Sequence, residues 1–177
     1  MKKLTTVEMN RLSAEQYAQA EKVPLVVVLD NVRSQHNIGA VFRTADAFRL
    51  QEIVLCGIAC TPPNTEIHKT ALGAELTVRW TYCKETMDAV ERLREEGYQI
   101  LVVEQVHGST LLQDFHPVRG EKYAIVLGHE VFGVQQAVVD IADRCIEIPQ
   151  YGTKHSLNVS VTAGILIYTI ATQLISD

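Results

Sequence analysis

The 177-residue chain has no long hydrophobic run, no basic leader and no regular cysteine pattern. Because no basic segment precedes an apolar core near its beginning, we expect no cleaved signal peptide. The longest apolar stretch, residues 163–175, is too short and too often polar to span a bilayer. The four cysteines follow no disulfide or zinc spacing, and they are Cys56, Cys60, Cys83 and Cys145. We therefore expect reduced thiols in a cytoplasmic protein that has neither a membrane partner nor a metal.

Common nucleotide- and metal-binding motifs are also missing. The chain has no P-loop, and IVLGHEVFGV, residues 125–134, lacks the G-x-G-x-x-G spacing of nicotinamide-binding proteins. The same segment is not the H-E-x-x-H motif of zinc proteases, because Gly133 stands where the second histidine would be. Cys56 and Cys60 lack the third cysteine of a radical iron–sulfur motif, since Pro63 takes its place. These absences disfavour an unrelated doubly wound nucleotide enzyme.

Charge is unevenly distributed along the chain. The net charge of −5 argues against a protein that binds nucleic acid by charge alone. Residues 1–84 nevertheless contain ten Lys and Arg against eight Asp and Glu, whereas residues 85–177 contain six against thirteen. A polyanion should therefore meet the N-terminal half, helped by His36 and His68. An uneven surface charge without a role explains the same numbers.

Apolar runs alternate with amphipathic segments along most of the chain. The runs predict strands at residues 25–30, 52–57, 77–83, 98–105, 122–128 and 144–150. Helical patterns are found near residues 37–48, 64–74, 84–96, 133–142 and 156–175. This alternation predicts an α/β fold with a mostly parallel sheet flanked by helices. Residues 1–22 predict a helical N-terminal extension, followed by a domain of residues 23–177.

Three polar clusters directly follow apolar runs. They are DNVRSQHN at 30–37, LGHEVFG at 127–133 and IPQYGTKHSLN at 148–158. Ligands of parallel α/β sheets bind at the carboxyl ends of the strands. We therefore expect the three clusters to converge on one site.

Several residues near these clusters have two explanations each. Glu130 is either an acid at the start of a helix, where the dipole favours it, or an acid of the site. Ser156 or Asn158 serves as the N-cap of the last helix, or the pair makes other polar contacts there. Arg43 stands among Ala, Val and Phe residues that should face the sheet, so its charge needs either a partner or contact with water.

The clusters resemble three ordered motifs of the SpoU (TrmH) family of the SPOUT RNA methyltransferases. N-x-R-x-x-x-N-x-G-x-x-x-R-T-A is matched by Asn31, Arg33, Asn37, Gly39, Arg43, Thr44 and Ala45. LG-x-E-x-x-G is matched by Leu127, Gly128, Glu130 and Gly133. IP-x-x-G-x-x-x-SLN-x-S-x-x-x-G is matched by Ile148, Pro149, Gly152, Ser156, Leu157, Asn158, Ser160 and Gly164. The resemblance covers about residues 24–170, includes HKTALGA at 68–74, and departs from the usual pattern at His129 and Val131.

The resemblance implies a fold, an activity and partners. A SpoU protein transfers a methyl group from S-adenosylmethionine to a ribose 2′-hydroxyl of RNA, here tRNA or rRNA. Its α/β sheet ends in a C-terminal trefoil knot, a feature that is nearly absent from other proteins. Family members are homodimers in which the last helix packs against its copy. The apolar residues 157–175 suit that contact, and they equally suit a helix buried within one chain.

The resemblance also implies roles for individual residues. The cofactor would lie between loops 128–133 and 148–158, against Leu127, Gly128, Ile148, Ser156 and Leu157. Arg43 would bind the phosphate beside the target ribose and stabilise the developing alkoxide, because a guanidinium stays charged. The residues that would orient Arg43 and the ribose are Asn37, Glu130, Ser156 and Asn158. The residues that would bind RNA are Arg33, His36, Arg43 and Lys69.

A catalytically silent RNA-binding module on the same fold is the alternative function. The presence of Arg43, Glu130, Ser156 and Asn158 favours the enzyme.

Overall fold

A computed structural model describes residues 1–5 and 7–175 of the chain. These residues form a parallel sheet with the strand order β3-β2-β1-β6-β4-β7-β5. The strands are β1 Val23–Asp30, β2 Leu50–Cys56, β3 Trp80–Cys83, β4 Tyr98–Val103, β5 Thr110–Leu111, β6 Lys122–Leu127 and β7 Arg144–Glu147. The helices are α1 Ala14–Gln19, α2 Gln35–Ala47, α3 Thr65–Ala71, α4 Thr86–Glu95, α5 Gln136–Asp140 and α6 Val159–Leu174.

The sheet is buried on both faces, which explains why its strands are continuously apolar. Along β1, Leu25, Val27 and Leu29 belong to one core, whereas Val26 and Val28 belong to the other. Helices α2, α3 and α6 cover the first core, and α4 and α5 cover the second. The result is a three-layered α/β arrangement in which each strand contributes side chains to both cores.

The predicted α/β fold and its mostly parallel sheet are confirmed, and each predicted strand is present with shifted ends. The strand predicted at residues 144–150 ends at Glu147, and the helix predicted at 133–142 covers only Gln136–Asp140. Strand β5 was not predicted, because its two residues are too few to show a hydrophobic pattern.

A helix was expected over residues 1–22; among the described residues of this range, residues 1–5 and 7–22, only Ala14–Gln19 form an α-helix, and residue 6 lies outside the described residues. Ser13 and Gln16 form a capping box at its start. Its Tyr17 is buried in the core that α2 and α6 cover. The boundary of the N-terminal extension at residue 22 stays a prediction.

Neither a membrane-spanning helix nor a metal cluster is found in the described residues. Among residues 1–5 and 7–175, no helix has the length and apolar character needed to cross a membrane. In the same residues, no group of three or more His, Cys, Asp or Glu side chains is arranged to hold a metal ion.

Candidate active site

A cleft of about 530 Å³ opens beyond the carboxyl ends of β4, β6 and β7. Its walls are the segments that follow these strands, together with the start of α6. A cleft of this size suits a small-molecule cofactor. It is lined by each predicted cofactor residue, namely Leu127, Gly128, Ile148, Ser156 and Leu157. Two further predicted site residues, Glu130 and Asn158, line it as well.

The segment after β6 forms a tight loop that requires two glycines. His129 and Gly133 exchange backbone hydrogen bonds of 3.0 and 2.9 Å. A Cβ atom at Gly128 would lie 2.0 Å from the carbonyl carbon of Gly133, so the loop closes only without one. Gly133 has a φ of +69°, and a Cβ atom there would lie 2.1 Å from Glu104 Oε1. The two glycines therefore allow the loop to carry Glu130 toward α2.

Two carboxylates anchor the end of this loop. Glu104, which follows β4, accepts a hydrogen bond of 2.9 Å from the backbone N–H of Val134. Asp30, fully buried at the end of β1, accepts bonds from the backbone and the side chain of Gln135 at 2.9 and 2.7 Å. Asp30 also accepts a bond of 2.6 Å from the Thr86 hydroxyl. The loop is thus held by the strands on either side of β6.

The carboxylate of Glu130 joins the second sequence motif to the first. It accepts hydrogen bonds from the backbone N–H groups of Arg33 at 3.0 Å and Ser34 at 2.9 Å. It also accepts one of 3.1 Å from the amide of Asn37. Because Ser34 is the N-cap of α2, Glu130 lies at the N-terminus of that helix, where the dipole favours an anion. Glu130 does not begin a helix of its own segment, since α5 starts only at Gln136.

Opposing effects set the pKa of Glu130. Burial raises the pKa of the carboxyl group, but hydrogen bonds from the backbones of Arg33, Ser34 and Glu130 itself, and from the Asn37 side chain, together lower it by more. The resulting pKa lies below the ordinary value of 4.5. Glu130 is therefore a carboxylate at neutral pH, and it acts as an acceptor that holds neighbouring groups in place.

Asn37 connects this carboxylate to the third motif. While its amide nitrogen donates to Glu130, its Oδ1 accepts a hydrogen bond of 3.1 Å from Asn158 Nδ2. The oxygen of Asn158 accepts from the backbone N–H groups of Ser160 and Val161, so Asn158 is the N-cap of α6. Of the two expected caps, Ser156 does not fill this position. The predicted convergence of the three clusters is thus seen as a chain of three side chains.

Residues 24–168 match the family model described as "SpoU rRNA Methylase family". This stretch contains the Glu130–Asn37–Asn158 chain of hydrogen bonds, called the network below, and the loops that line the cleft. The chain belongs to the SpoU family.

Curated SpoU relatives are longer than this chain. It is 31% identical over 144 residues to a 23S rRNA (guanosine-2'-O-)-methyltransferase RlmB of Neisseria meningitidis, a match covering 81% of this chain and 56% of that protein. It is 32% identical over 156 residues to the tRNA (guanosine(18)-2'-O)-methyltransferase of Aquifex aeolicus, covering 84% and 69%. A third relative, RlmB of Coxiella burnetii, is 35% identical, with 86% and 60% covered.

Solved SpoU structures share the architecture. The A. aeolicus TrmH/SpoU tRNA modifying enzyme superposes with a TM-score of 0.79 at 26% identity, covering 90% of this chain and 81% of that one. An AdoMet-bound rRNA methyltransferase from Sinorhizobium meliloti superposes with a TM-score of 0.80 at 25% identity, covering 90% and 61%.

Arg43 of the first SpoU motif lies apart from the network. The helix faces the sheet with Val41, Phe42 and Ala45, whereas Arg43 is exposed. The charge of Arg43 was expected to be either paired or partly exposed to water, and the structure shows it exposed to water. Within the described part of the chain, the Arg43 side chain makes no hydrogen bond or ion pair and does not line the cleft. It lies seven residues after His36, so both side chains occupy one face of α2.

The other predicted RNA-binding residues are exposed beside α2 and α3. Arg33 and His36 flank the start of α2, and Lys69 lies on α3. Glu66 joins two of them, because its carboxylate contacts His36 Nε2 at 3.0 Å and Lys69 Nζ at 2.6 Å. The surface next to the network therefore carries several cationic or ionisable groups.

Cleft residues after β4 were missed by sequence reasoning. Glu104 anchors the loop, and Gln105 donates a hydrogen bond of 3.1 Å to the backbone oxygen of His155. Both line the cleft. The pattern predicted a strand through residue 105, but β4 ends at Val103. Two polar residues at the end of a parallel strand were the available signal.

Proposed function

We propose that the chain is an RNA methyltransferase that transfers a methyl group from S-adenosylmethionine to a ribose 2′-hydroxyl of tRNA or rRNA. The observation that carries this proposal is the Glu130–Asn37–Asn158 chain, which joins three SpoU motifs beside the cleft. The curated relatives named above are guanosine 2′-O-methyltransferases acting on 23S rRNA or tRNA. We therefore infer that a guanosine ribose is the first target to test.

The lining of the cleft fits S-adenosylmethionine. Leu127, Ile146, Ile148 and Leu157 supply apolar surface, while the backbone between them offers donors and acceptors for an adenine edge. Glu104 supplies a carboxylate for hydroxyl or ammonium groups. When bound, the cofactor supplies an electrophilic methyl group on its sulfonium.

The residues of the chain then have to position the ribose and stabilise charge. Glu130 fixes Asn37, and Asn37 fixes the Asn158 amide, so these groups cannot rotate freely. Such fixed polar groups orient a hydroxyl without reorganising during the reaction. Arg43, exposed and charged, binds an RNA phosphate and stabilises the alkoxide as it forms. Ser156, which lines the cleft, lies beside the ribose.

We also propose that the C-terminal segment forms the trefoil knot of the family. The support is the position of its two loops. The residues after β6 and the residues after β7 line the same cleft, and α6 then packs back onto the core beside α2.

We propose further that the protein is a homodimer formed through α6. The support is that α6 is apolar on both sides. Ala163, Leu166, Ile167 and Ile170 are buried in the core, yet Val161, Ile165 and Tyr168 are exposed on the opposite side. A surface stripe of this kind is stabilised by a second apolar surface.

The cytoplasmic location expected from the sequence stays a prediction.

The test combines calorimetry with methyl transfer. The chain should bind S-adenosylmethionine and should transfer a labelled methyl group to tRNA or rRNA isolated from a strain lacking the protein. The modified RNA should then contain a 2′-O-methylated nucleoside by mass spectrometry. Cofactor binding without transfer to any RNA would favour the silent module, and absent cofactor binding by folded protein would reject the enzyme.

A further inference from the structure

A second concave surface lies on the α3 side of the molecule, away from the cofactor cleft. It has a volume of about 720 Å³, and its lining includes Pro62, Pro63, His68, Leu76 and Trp80. We call it the Trp80 groove. Leu76 is 82% exposed, and Trp80 is half-buried, with part of its ring packed on the core and part in the groove. An apolar surface of this kind costs free energy in water unless a ligand covers it.

The imidazole in this groove is held by a buried carboxylate. Glu75 is 7% exposed, and its Oε1 lies 2.5 Å from His68 Nδ1. Its other oxygen accepts a bond of 3.0 Å from the N–H of Gly73. Because Nδ1 faces a carboxylate, Nδ1 donates to Glu75, and Nε2 remains available to a ligand. The groove therefore combines a flat aromatic surface with an oriented ring nitrogen.

One cation lines the groove. Lys69 has an exposed ammonium group, which is paired with the carboxylate of Glu66 on the same helix. An RNA base with its neighbouring phosphate complements this combination of an ammonium group and an aromatic surface.

Helix α3 connects the groove to the start of α2. Glu66 on α3 contacts His36, and the Thr70 hydroxyl donates to the backbone oxygen of His36 at 3.0 Å. His36 lies in the first turn of α2, one residue before Asn37 of the network. An RNA strand that reaches both Asn37 and Trp80 would therefore have to pass α3.

We propose that the Trp80 groove binds one unstacked nucleobase of the substrate RNA, away from the methylated nucleotide. This inference rests on the proposed function, because it needs RNA as the substrate. The base stacks on Trp80, and His68 Nε2 forms a hydrogen bond with its edge. Lys69 binds a neighbouring phosphate. Since base-paired nucleotides cannot present a free face, the site selects a single-stranded segment or a loop.

Fluorescence gives a direct test, because Trp80 is the only tryptophan of the chain. A short single-stranded RNA should quench the emission in a saturable way, and the same sequence as a complete duplex should not. Equal quenching by the duplex, or no quenching by RNA that binds, would overturn the proposal.

Kinetics give the second test, with transfer RNA as the substrate. Trp80→Ala should raise the KM for RNA roughly tenfold, as expected for one lost stacking contact, while kcat and cofactor affinity stay unchanged. Trp80→Phe should retain most of the affinity because it keeps a ring. Tyr82→Ala is the matched control, since Tyr82 is half-exposed on the same strand and does not line the groove.

The outcomes separate this inference from the proposed function. If the wild-type protein methylates RNA but Trp80→Ala has a normal KM, the groove proposal is wrong and the function stands. If no RNA is methylated yet single strands still quench Trp80, the function fails and the groove remains an RNA site. If Trp80→Ala instead changes the oligomeric state, the groove contacts a second copy and the proposal is rejected.

Discussion

At the scale of single residues, the site depends on the ionised state of Glu130. A carboxylate held by two backbone N–H groups and one amide fixes the start of α2 against the loop after β6. Removing it leaves three donors without an acceptor, although water reaches this half-buried position. Removing Glu130 should therefore disturb the geometry of the site more than the stability of the fold.

We predict that Glu130→Ala folds but lowers the methyl-transfer rate by roughly 100-fold, the effect of a misplaced reacting group. The measurement is single-turnover methylation together with a thermal melt. Glu91→Ala, at an exposed position on α4, is the matched control. A Glu130→Ala protein that transfers methyl groups at the wild-type rate would remove Glu130 from the site.

The pH dependence of stability tests the same carboxylate. Because the pKa of Glu130 is lowered in the folded protein, its contribution is present above the ordinary value of 4.5 and is lost as pH falls through the folded pKa. The Tm difference between wild type and Glu130→Gln should thus be constant down to about pH 4.5. Below that pH it should shrink. A difference independent of pH in this acid range would contradict the assignment.

Replacing Arg43 should affect activity but hardly stability, because its side chain is exposed and unpaired within the described residues. Arg43→Ala should change the free energy of unfolding by less than about 0.5 kcal/mol. It should bind cofactor normally and lose methyl transfer by two or more orders of magnitude. Arg43→Lys should also fail, because an ammonium cannot make a bidentate contact with phosphate. Arg144→Ala, another exposed arginine, should stay active, and equal losses for both would reject the assigned role.

At the scale of elements, the start of α6 has two roles that separate in a pair of variants. Asn158→Ala removes both the N-cap and the donor to Asn37, and it should cost about 1 kcal/mol of stability in urea unfolding. Asn158→Asp keeps an acceptor for the cap but loses the amide donor, so it should melt near the wild type. Both should lose activity in the methyl-transfer assay. An active Asn158→Asp protein would limit Asn158 to helix capping.

The contact between α2 and α3 explains the glycine of the first motif. A Cβ atom at Gly39 would lie 2.3 Å from the backbone oxygen of Ile67 and 2.1 Å from Thr70 Oγ1. Alanine has the better helix propensity, but such a contact would push the two helices apart. Gly39 therefore serves the packing of α3 against α2, which sets the position of the surface beside the network.

Elements and site were not equally predictable from sequence. Strands such as β1 and β6 were predicted because burial on both faces produces a continuous apolar run. The two-residue β5 was not, since its pairing with β7 is a tertiary contact. Likewise, the motifs identified Glu130 and Asn37 but not their hydrogen bond, which joins residues 93 positions apart. The role of Glu104 depends on the glycine loop folding against it, which no local pattern encodes.

At the scale of the whole molecule, helix α6 joins the site to the proposed dimer. Its N-cap belongs to the network, its buried side packs on the core, and its exposed side is apolar. Tyr168 on that side makes an edge contact with Phe48 at the end of α2, with ring centroids 6.0 Å apart. A second copy seated on α6 would thus also lie near the exposed face of α2 that carries Arg43.

This arrangement predicts that a charge on the exposed side of α6 disrupts the dimer and lowers activity together. Ile165→Asp should be a monomer by light scattering at concentrations where the wild type is a dimer, because an unpaired carboxylate cannot be buried in an apolar interface. Its circular dichroism should match that of the wild type, since Ile165 lies outside the core. Ile58→Asp, at an exposed apolar residue after β2, is the control and should remain dimeric. A wild-type protein that is monomeric and fully active, or an Ile165→Asp protein that stays dimeric, would show that α6 is not the dimer interface.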